Sequence, residues 1–343
     1  MPRRDADERE AMSRALELAA RGPAHGPNPQ VGAVLLDPAG RRIGEGWHAG
    51  AGTPHAEPAA LADALSAGHD PRGATMVVTL EPCRHTGRTG PCTHALIAAG
   101  VARVVYALDD PSPTAGGGAG VLRSAGLEVV GGLLAQQADT IVHPWLTAVR
   151  RGRPWVTLKH ATTLDGRVAA ADGSSRWITS PAARRHAHRL RAQVDAIVVG
   201  TGTALRDDPA LTARDENGGL SAHQPLRVVV GRRTVPAGAR LRGLGGPLVE
   251  VRDHDPSAVL TSLAEHEVRH VLVEGGPTVA AAFLRAGLVD EVHAYLAAAY
   301  LGAGPAAVGD LAITSIDGAL RLTVTEATIV GGDVLVVARN QEE

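Results

Sequence analysis

The sequence contains few aromatic residues and almost no net charge. Phe, Trp and Tyr make up 2% of its 343 residues, and the formal net charge is −2. Base-stacking surfaces need aromatic side chains, and affinity for nucleic acid or anionic lipid depends on an excess of positive charge. The composition therefore argues against nucleic acid and against a membrane surface as the main partner.

A long uninterrupted apolar segment is also absent from the sequence. The most apolar late stretch, residues 295–313, is broken by glycines, a proline and an aspartate, so it does not supply the roughly 20 apolar residues of a spanning helix. The first ten residues are mostly charged and lack the apolar core of a signal peptide. We therefore expect a cytoplasmic protein in which cysteines stay reduced.

The length of the chain predicts two domains, because 343 residues exceed what one hydrophobic core usually supports. A polar, basic segment at residues 150–154 marks the expected boundary. Strand-like and helix-like runs alternate on both sides of it, which is typical of α/β layers. The predicted helices cover residues 8–21, 55–65, 92–99, 181–192, 257–265 and 278–286. The predicted strands cover residues 31–36, 42–48, 74–80, 101–108, 155–161, 196–200, 226–230, 248–251, 270–274 and 291–296.

Cysteine is scarce, and both cysteines, Cys83 and Cys92, lie in one segment that follows the triplet His55-Ala56-Glu57. One imidazole and two thiolates suit zinc, and three protein ligands leave a fourth position for a water that the metal acidifies. Glu57 would carry the proton. Zinc nucleobase deaminases show the same His-x-Glu and Pro-Cys elements, although eight residues rather than two separate the cysteines here.

Two other interpretations of this segment remain open from the residues alone. His85 or His94 could complete a closed, structural zinc site. The two cysteines could also be free buried thiols.

The second half carries a strand that runs into Glu274-Gly275-Gly276 and then a helix, a geometry in which backbone N–H groups can approach a phosphate. The glycines could instead serve only a tight turn. Arg232 follows a strand, where an arginine suits a dinucleotide 2′-phosphate, although a solvated basic turn is the common alternative. Lys159 lies inside an apolar strand and needs a carboxylate partner, which favours a functional role.

Several motifs occur in the order found in one known family. They are residues 27–32, 55–57, 79–83, 87–92, 110–113, 164–167, 177–181, 207–212 and 274–278. Together they resemble the bifunctional deaminase/reductase of bacterial riboflavin biosynthesis, and the resemblance covers nearly the whole chain. Departures include Ser112 where the family usually has Asn, Thr163 for Ser, Gly231 for Asp, and Ala298 near a usual Pro.

The resemblance implies a cytidine-deaminase-like three-layer α/β/α domain at residues 1–148 and a dihydrofolate-reductase-like α/β domain at residues 149–343. It implies a zinc-dependent hydrolytic deamination of a diamino-ribosylamino-pyrimidinone 5′-phosphate. An NADPH-dependent reduction of the ribosyl group to ribityl then follows. It also implies a phosphorylated pyrimidine as small-molecule partner and a homo-oligomer.

The resemblance further assigns roles to individual residues. The zinc ligands are His55, Cys83 and Cys92, and the catalytic residues are Glu57, Lys159 and Glu274. The substrate contacts are Asn28, Arg88, Asp110, Ser112, Ser175, Arg191, Leu211, Arg214 and Glu274. The NADPH contacts are Ala161, Trp177, Thr203, Asp207, Arg232, Gly276, Pro277, Thr278, Val279, Ala280, Ala281 and Ala282.

Two rival functions remain at this point. One is a zinc deaminase acting on cytosine or on a tRNA adenine, which the composition disfavours because a basic, aromatic surface is missing. The other is a catalytically silent, zinc-stabilised nucleotide-binding module, which has no need of the reactive residues in both halves.

Overall fold

The computed structural model describes residues 2–87 and 89–340. The chain divides into two compact units, Met1–Gly152 and Arg153–Glu343. Within the described ranges, every helix is too short or too polar to cross a membrane. Each unit is built around one mixed β-sheet.

The first unit contains a five-stranded sheet with the strand order β2-β1-β3-β4-β5. Strand β1 pairs antiparallel with β2 and β3, whereas β3, β4 and β5 are parallel. The strands are β1 (Gly32–Leu36), β2 (Arg42–Trp47), β3 (Thr75–Leu80), β4 (Arg103–Leu108) and β5 (Glu128–Gly131). The helices are α1 (Pro2–Ala19), α2 (Ala56–Ser66), α3 (Cys92–Ala98), α4 (Gly118–Ser124) and α5 (Ala135–Arg151).

Helices cover both faces of this sheet, because alternate strand residues point to opposite sides. Leu35, Met76 and Val104 belong to the core that includes residues of α2, α3 and α4. Their neighbours Val34 and Val77 belong to a second core that includes residues of α1 and α5. The resulting three-layer α/β/α arrangement confirms the predicted fold class of the first half.

Helix α2 approaches strand β2 closely because the strand offers glycine at the contact. A Cβ atom on Gly46 would collide with the backbone of Ala56 and Ala60. Small residues on the two elements thus allow their backbones to pack closely. This contact fixes the position of the start of α2, where His55 and Glu57 lie.

The second unit contains an eight-stranded sheet with the order β12-β13-β11-β6-β10-β7-β8-β9. The six strands from β11 to β9 run parallel, and β13 and β12 add antiparallel at one edge. The strands are β6 (Trp155–Thr163), β7 (Ala196–Gly200), β8 (Leu226–Val230), β9 (Leu248–Val251), β10 (His270–Val273), β11 (Glu291–Ala297), β12 (Thr323–Val330) and β13 (Asp333–Arg339). The helices are α6 (Pro181–Arg191), α7 (Thr201–Asp207), α8 (Pro256–Glu265) and α9 (Pro277–Arg285).

Six elements escaped the sequence-based prediction, namely α4, β5, α5, α7, β12 and β13. Strand β12 is exposed along almost its whole length, so it lacks the alternation that identifies a half-buried strand. Helix α5 contains Pro144, which sequence rules treat as a breaker. The segment at residues 116–120 is rich in glycine, which disfavours a helix, yet α4 begins within it. A side chain at Gly118 would collide with the Pro82 carbonyl, so glycine permits this helix to start there.

We expect Gly46→Ala to lower the free energy of unfolding of the first unit by about 1–3 kcal/mol, because the added methyl group overpacks a backbone contact. Gly120→Ala is the matched control, because a Cβ there meets nothing within 4 Å and alanine favours the helix by up to about 1 kcal/mol. Urea titrations followed by circular dichroism compare the two variants. Equal stabilities would contradict this account of the contact between α2 and β2.

Candidate functional site

Three side chains from separate segments of the first unit converge. His55 is the N-cap of α2, Cys83 follows β3, and Cys92 is the first residue of α3. His55 Nδ1 lies 3.2 Å from Cys92 Sγ and 3.6 Å from Cys83 Sγ, and all three candidate ligand atoms lie within 4.8 Å of one another. Two helix N-termini thus meet at this cluster, as the sequence predicted.

The donor set of the cluster fits a zinc ion. Ligands about 2.0–2.3 Å from a tetrahedral zinc stand roughly 3.5 Å apart, which is close to the separations found here. Among the described residues, the cluster contains no fourth His, Cys, Asp or Glu side chain, so neither His85 nor His94 closes it. Both cysteines are free thiols. The arrangement therefore fits a catalytic zinc site with one position left for water.

The electrostatics of the cluster also favour a cation. The hydrogen bond between the two thiols lowers the pKa of Cys83 and raises the pKa of Cys92. The backbone N–H of Cys92 also points at Cys83 Sγ, at 3.4 Å. The hydrogen bond to Cys83 raises the pKa of His55. A thiolate therefore forms readily here, and thiolates are the ligands that zinc takes from cysteine.

Glu57 lies in the first turn of α2 and is only 3% exposed. Burial raises the pKa of Glu57 to about 7, and the charge of Cys83 acts in the same direction. A carboxyl group with a pKa near neutrality both accepts and releases protons under physiological conditions. Glu57 thus has the protonation behaviour that its predicted role requires.

Asp110 and Ser112 lie in the loop that follows β4. Burial raises the pKa of Asp110, and Cys83 is near enough for its charge to contribute. The Asp110 carboxylate accepts the Ser112 backbone N–H at 2.8 Å, and the Ser112 hydroxyl accepts the Ala115 N–H at 3.3 Å. Both predicted substrate residues thus belong to one internally bonded loop beside the cluster.

Asn28 also lies close to the cluster. Its side-chain Nδ2 is 2.9 Å from Nε2 of His48, and the His48 ring is 5.3 Å from the His55 ring, edge to face. Arg88, the remaining predicted contact of the deaminase substrate, lies outside the described residues.

The second unit contains a cavity of about 700 Å³ at the ends of its central strands. Glu274 lies within it and accepts two hydrogen bonds from Arg191, at 2.6 and 2.9 Å. The Lys159 ammonium lies 3.6 Å from the same carboxylate. Burial alone would raise the pKa of Glu274, but the charges of Arg191 and Lys159 outweigh it and lower the pKa to about 2. Lys159 therefore has the carboxylate partner that the sequence analysis required.

The lining of this cavity is strongly basic. Its two acidic side chains are Asp207 and Glu274. The basic side chains are Lys159, Arg176, Arg184, Arg191, Arg206, Arg214 and Arg240. Such an excess of positive charge suits phosphorylated ligands.

The predicted reductase residues fall mostly on two adjoining cavities. The larger cavity is lined by Lys159, Ala161, Ser175, Trp177, Arg191, Thr203, Asp207, Leu211, Arg214, Glu274, Gly276 and Pro277. A second cavity of about 470 Å³ shares Thr203, Gly276 and Pro277 and adds Thr278, Val279 and Ala282. Because these residues line both cavities, the two cavities lie side by side at the start of α9.

Three predicted cofactor residues lie outside both linings. Ala280 and Ala281 are 1% and 3% exposed, and both side chains are buried on the inner side of α9. Arg232 is exposed, and it is its neighbour Arg233, together with His254, that lines the smaller cavity.

Comparison with known proteins places the chain in a family. The model of the cytidine and deoxycytidylate deaminase zinc-binding region matches residues 5–108, and the RibD C-terminal domain model matches residues 154–336. The riboflavin biosynthesis protein RibD of Mycobacterium tuberculosis strain H37Rv is 50% identical over 329 residues, 95% of each chain. That of Corynebacterium ammoniagenes is 46% identical over 327 residues, 94% of each chain. The chain belongs to the RibD family.

A solved structure supports membership of the RibD family. The crystal structure of a diaminohydroxyphosphoribosylaminopyrimidine deaminase/5-amino-6-(5-phosphoribosylamino)uracil reductase from Thermotoga maritima superposes with a TM-score of 0.88 at 34% identity. It covers 98% of this chain and 99% of the other. The family resemblance inferred from the sequence motifs, and the reductase-type fold of the second half, are thus confirmed.

Sequence reasoning missed several residues that shape these sites. Glu81 is 7% exposed and accepts three backbone N–H groups, from Asp110 and Gly117 at 3.2 Å each and from Ala119 at 2.8 Å. It thereby ties the loop after β4 and the start of α4 to the segment of Cys83. A charged residue directly after a buried strand was the available signal.

A second missed group lies behind Lys159. The ring of Tyr295 is 5.7 Å from Lys159 Nζ, and its hydroxyl is 2.7 Å from His186 Nδ1. Tyr295 is 1% exposed, so it forms a fixed wall beside the ammonium group. The pairing of β11 with β6 places Tyr295 on the strand next to the one that carries Lys159.

We expect the Glu57→Gln variant to retain zinc. Its rate of hydrolytic deamination should fall by at least about 100-fold, because an amide cannot shuttle protons. Ammonia release and zinc content of the purified variant measure the two effects. Ammonia release at the wild-type rate would show that Glu57 is not the proton carrier.

We expect Lys159→Ala to lower NADPH oxidation with the deaminated substrate by about 100-fold or more, because the variant removes a positive charge from the cavity that is predicted to bind the sugar. The fold should persist, since Arg191 still neutralises Glu274. Unchanged ammonia release is the internal control. Lys159 is the only lysine of the chain, so ligand protection against an amine-directed reagent provides a second measurement. Normal NADPH oxidation would rule out an essential role for Lys159.

Proposed function

We propose that this chain is a bifunctional enzyme of riboflavin biosynthesis, with a deaminase domain at residues 1–148 and a reductase domain at residues 149–343. The observation that carries the proposal is the presence of both chemical sites in one chain of the RibD family. One site is a thiolate and imidazole cluster beside a buried glutamate that titrates near neutrality. The other is a basic cavity around Lys159 and Glu274. Helix α5 ends at Arg151 and the compact units divide at Gly152, within a few residues of this boundary.

The first reaction replaces the 2-amino group of 2,5-diamino-6-ribosylamino-4(3H)-pyrimidinone 5′-phosphate by oxygen from water and releases ammonia. A zinc ion held by His55, Cys83 and Cys92 would lower the pKa of a water in the open position and so supply a nucleophile near neutral pH. Glu57 would accept one proton from this water and deliver it to the ring nitrogen. It would then take the second proton from the added hydroxyl group and pass it to the departing amine, which leaves as ammonia.

Recognition of the deaminase substrate is assigned to residues around the cluster. Asn28 and Asp110 offer side-chain groups beside His55 and Cys83, and Ser112 offers a hydroxyl where the family usually has an amide. Arg88 supplies a guanidinium for the phosphate. These assignments agree with a small, polar ligand that carries a negative charge.

The second reaction reduces the ribosyl group to ribityl. Bound NADPH would supply the hydride to the C1′ carbon of the sugar. The basic lining of the larger cavity neutralises ligand phosphates, while exposed Trp177, with the Arg184 guanidinium 4.4 Å from its ring centroid, offers an aromatic surface at the cavity edge.

Glu274 acts in this reaction as an ionised anchor. Its pKa is lowered to about 2, so the carboxylate is ionised at neutral pH. Its charge fixes the Lys159 ammonium and the Arg191 guanidinium against the substrate. Ser175, Leu211 and Arg214 complete the substrate contacts.

The proposal includes the setting in which the enzyme acts. We place it in the cytoplasm, as a homo-oligomer without a nucleic acid or membrane partner. The two free cysteines in the metal cluster support a reducing compartment, and the low aromatic content and small net charge argue against nucleic acid and membrane partners. The homo-oligomer rests on the family resemblance alone.

The direct test gives the purified zinc protein the diaminopyrimidine ribosyl phosphate and follows the product mass. Without NADPH, we expect only the exchange of an amino group for oxygen, with release of ammonia. With NADPH, the product should gain two further hydrogens. Reduction of the substrate before deamination, or ammonia release without zinc, would contradict the proposal.

A further inference from the structure

His48 links Asn28 to the backbone that precedes the zinc ligand His55. His48 is buried, with 4% of the residue exposed. Nδ1 lies 3.0 Å from the carbonyl oxygen of Pro54, and Nε2 lies 2.9 Å from Nδ2 of Asn28. Both ring nitrogens thus have a hydrogen-bonding partner. The sequence analysis did not link His48 to Asn28.

The hydrogen bonds of His48 determine which ring nitrogen carries the proton. A carbonyl oxygen only accepts, so Nδ1 must donate its N–H to Pro54. The nearby Thr53 hydroxyl already donates its hydrogen to the Gly50 carbonyl, at 2.7 Å. Towards Nδ1, which is 3.5 Å away, the Thr53 oxygen can therefore act only as an acceptor. Because burial disfavours a charged imidazole, Nε2 carries a lone pair and accepts.

This tautomer orients the amide of Asn28. A lone pair on Nε2 must face the NH₂ group of Asn28 and would repel its oxygen. The amide oxygen Oδ1 therefore points away from His48, and no described residue donates a hydrogen bond to it. The segment itself is held in place, since Trp145 Nε1 donates to the Pro27 carbonyl at 2.8 Å.

We propose that His48 is a positioning residue of the deaminase, which holds the Asn28 amide so that its oxygen faces the pyrimidine and accepts an N–H of the substrate. The inference rests on the proposed deaminase function. It implies selection for a pyrimidine that presents a donor, a ring N–H or an amino group, at this edge. An analogue that presents only acceptors at this edge would be repelled by the Asn28 amide oxygen.

The test compares His48→Phe with the double variant that also carries Asn28→Asp. Phe removes both hydrogen bonds, so Asn28 can present its NH₂ group instead, and we expect deamination kcat/KM to fall roughly 10- to 100-fold. A carboxylate has two equivalent oxygens and presents an acceptor in either orientation. The double variant should therefore be more active than His48→Phe alone, a rescue that a purely structural role of His48 cannot produce.

His48→Gln is the matched control, because its amide can donate to Pro54 and accept from Asn28 at once, and it should stay within a few-fold of wild type. Zinc content and NADPH oxidation with deaminated substrate show that each variant is folded. If His48→Phe releases zinc, His48→Met replaces it in the same comparison. Full activity of the apolar variant, absence of rescue by Asn28→Asp, or a Gln variant as defective as the Phe variant would each overturn the inference. Absence of deamination in the wild-type protein would instead refute the proposed function.

Discussion

Parallel strands end at the same edge of a sheet, and both candidate sites depend on this constraint. In the first unit, the neighbouring strands β3 and β4 end just before Cys83 and Asp110, and Glu81 joins the two ends through backbone hydrogen bonds. In the second unit, β10 lies between β6 and β7 and carries Glu274 at its end, next to Lys159 on β6. Reactive side chains that are far apart in the chain meet because the sheet holds neighbouring strands in register. Glu274 follows the end of β10, and Lys159 lies beside it in the middle of β6.

The two units treat a buried glutamate in opposite ways. Glu57 is surrounded by protein and lies beside a thiolate, so its pKa is raised to about 7 and it can exchange protons at neutral pH. Glu274 is equally buried but is paired with Arg191 and Lys159, so its pKa is lowered to about 2 and it remains a fixed charge. Since both carboxyl groups are buried, neighbouring charges rather than burial set the difference between their pKa values.

The fold class could be predicted from the apolar periodicity of the sequence. The residues of the metal cluster and the family could be predicted from short motifs. The sequence did not identify the bond between Asn28 and His48, because the two residues are 20 positions apart and the orientation of the amide depends on a backbone carbonyl. Helix α4 was not predicted because its first turn is rich in glycine. Glycine is needed there because Gly118 packs closely against the Pro82 carbonyl. The choice between Arg232 and Arg233 depends on which side chain faces the cavity after β8, which no motif specifies.

The proposed deamination depends most on a zinc ion with one histidine, two cysteines and an open position. X-ray absorption spectroscopy at the zinc edge of the purified protein tests this site directly. We expect four ligands, namely two sulfur atoms at about 2.3 Å and one imidazole nitrogen and one water oxygen at about 2.0–2.1 Å. Scattering from two imidazoles, fewer than two sulfur ligands, or a protein that binds no zinc would contradict it.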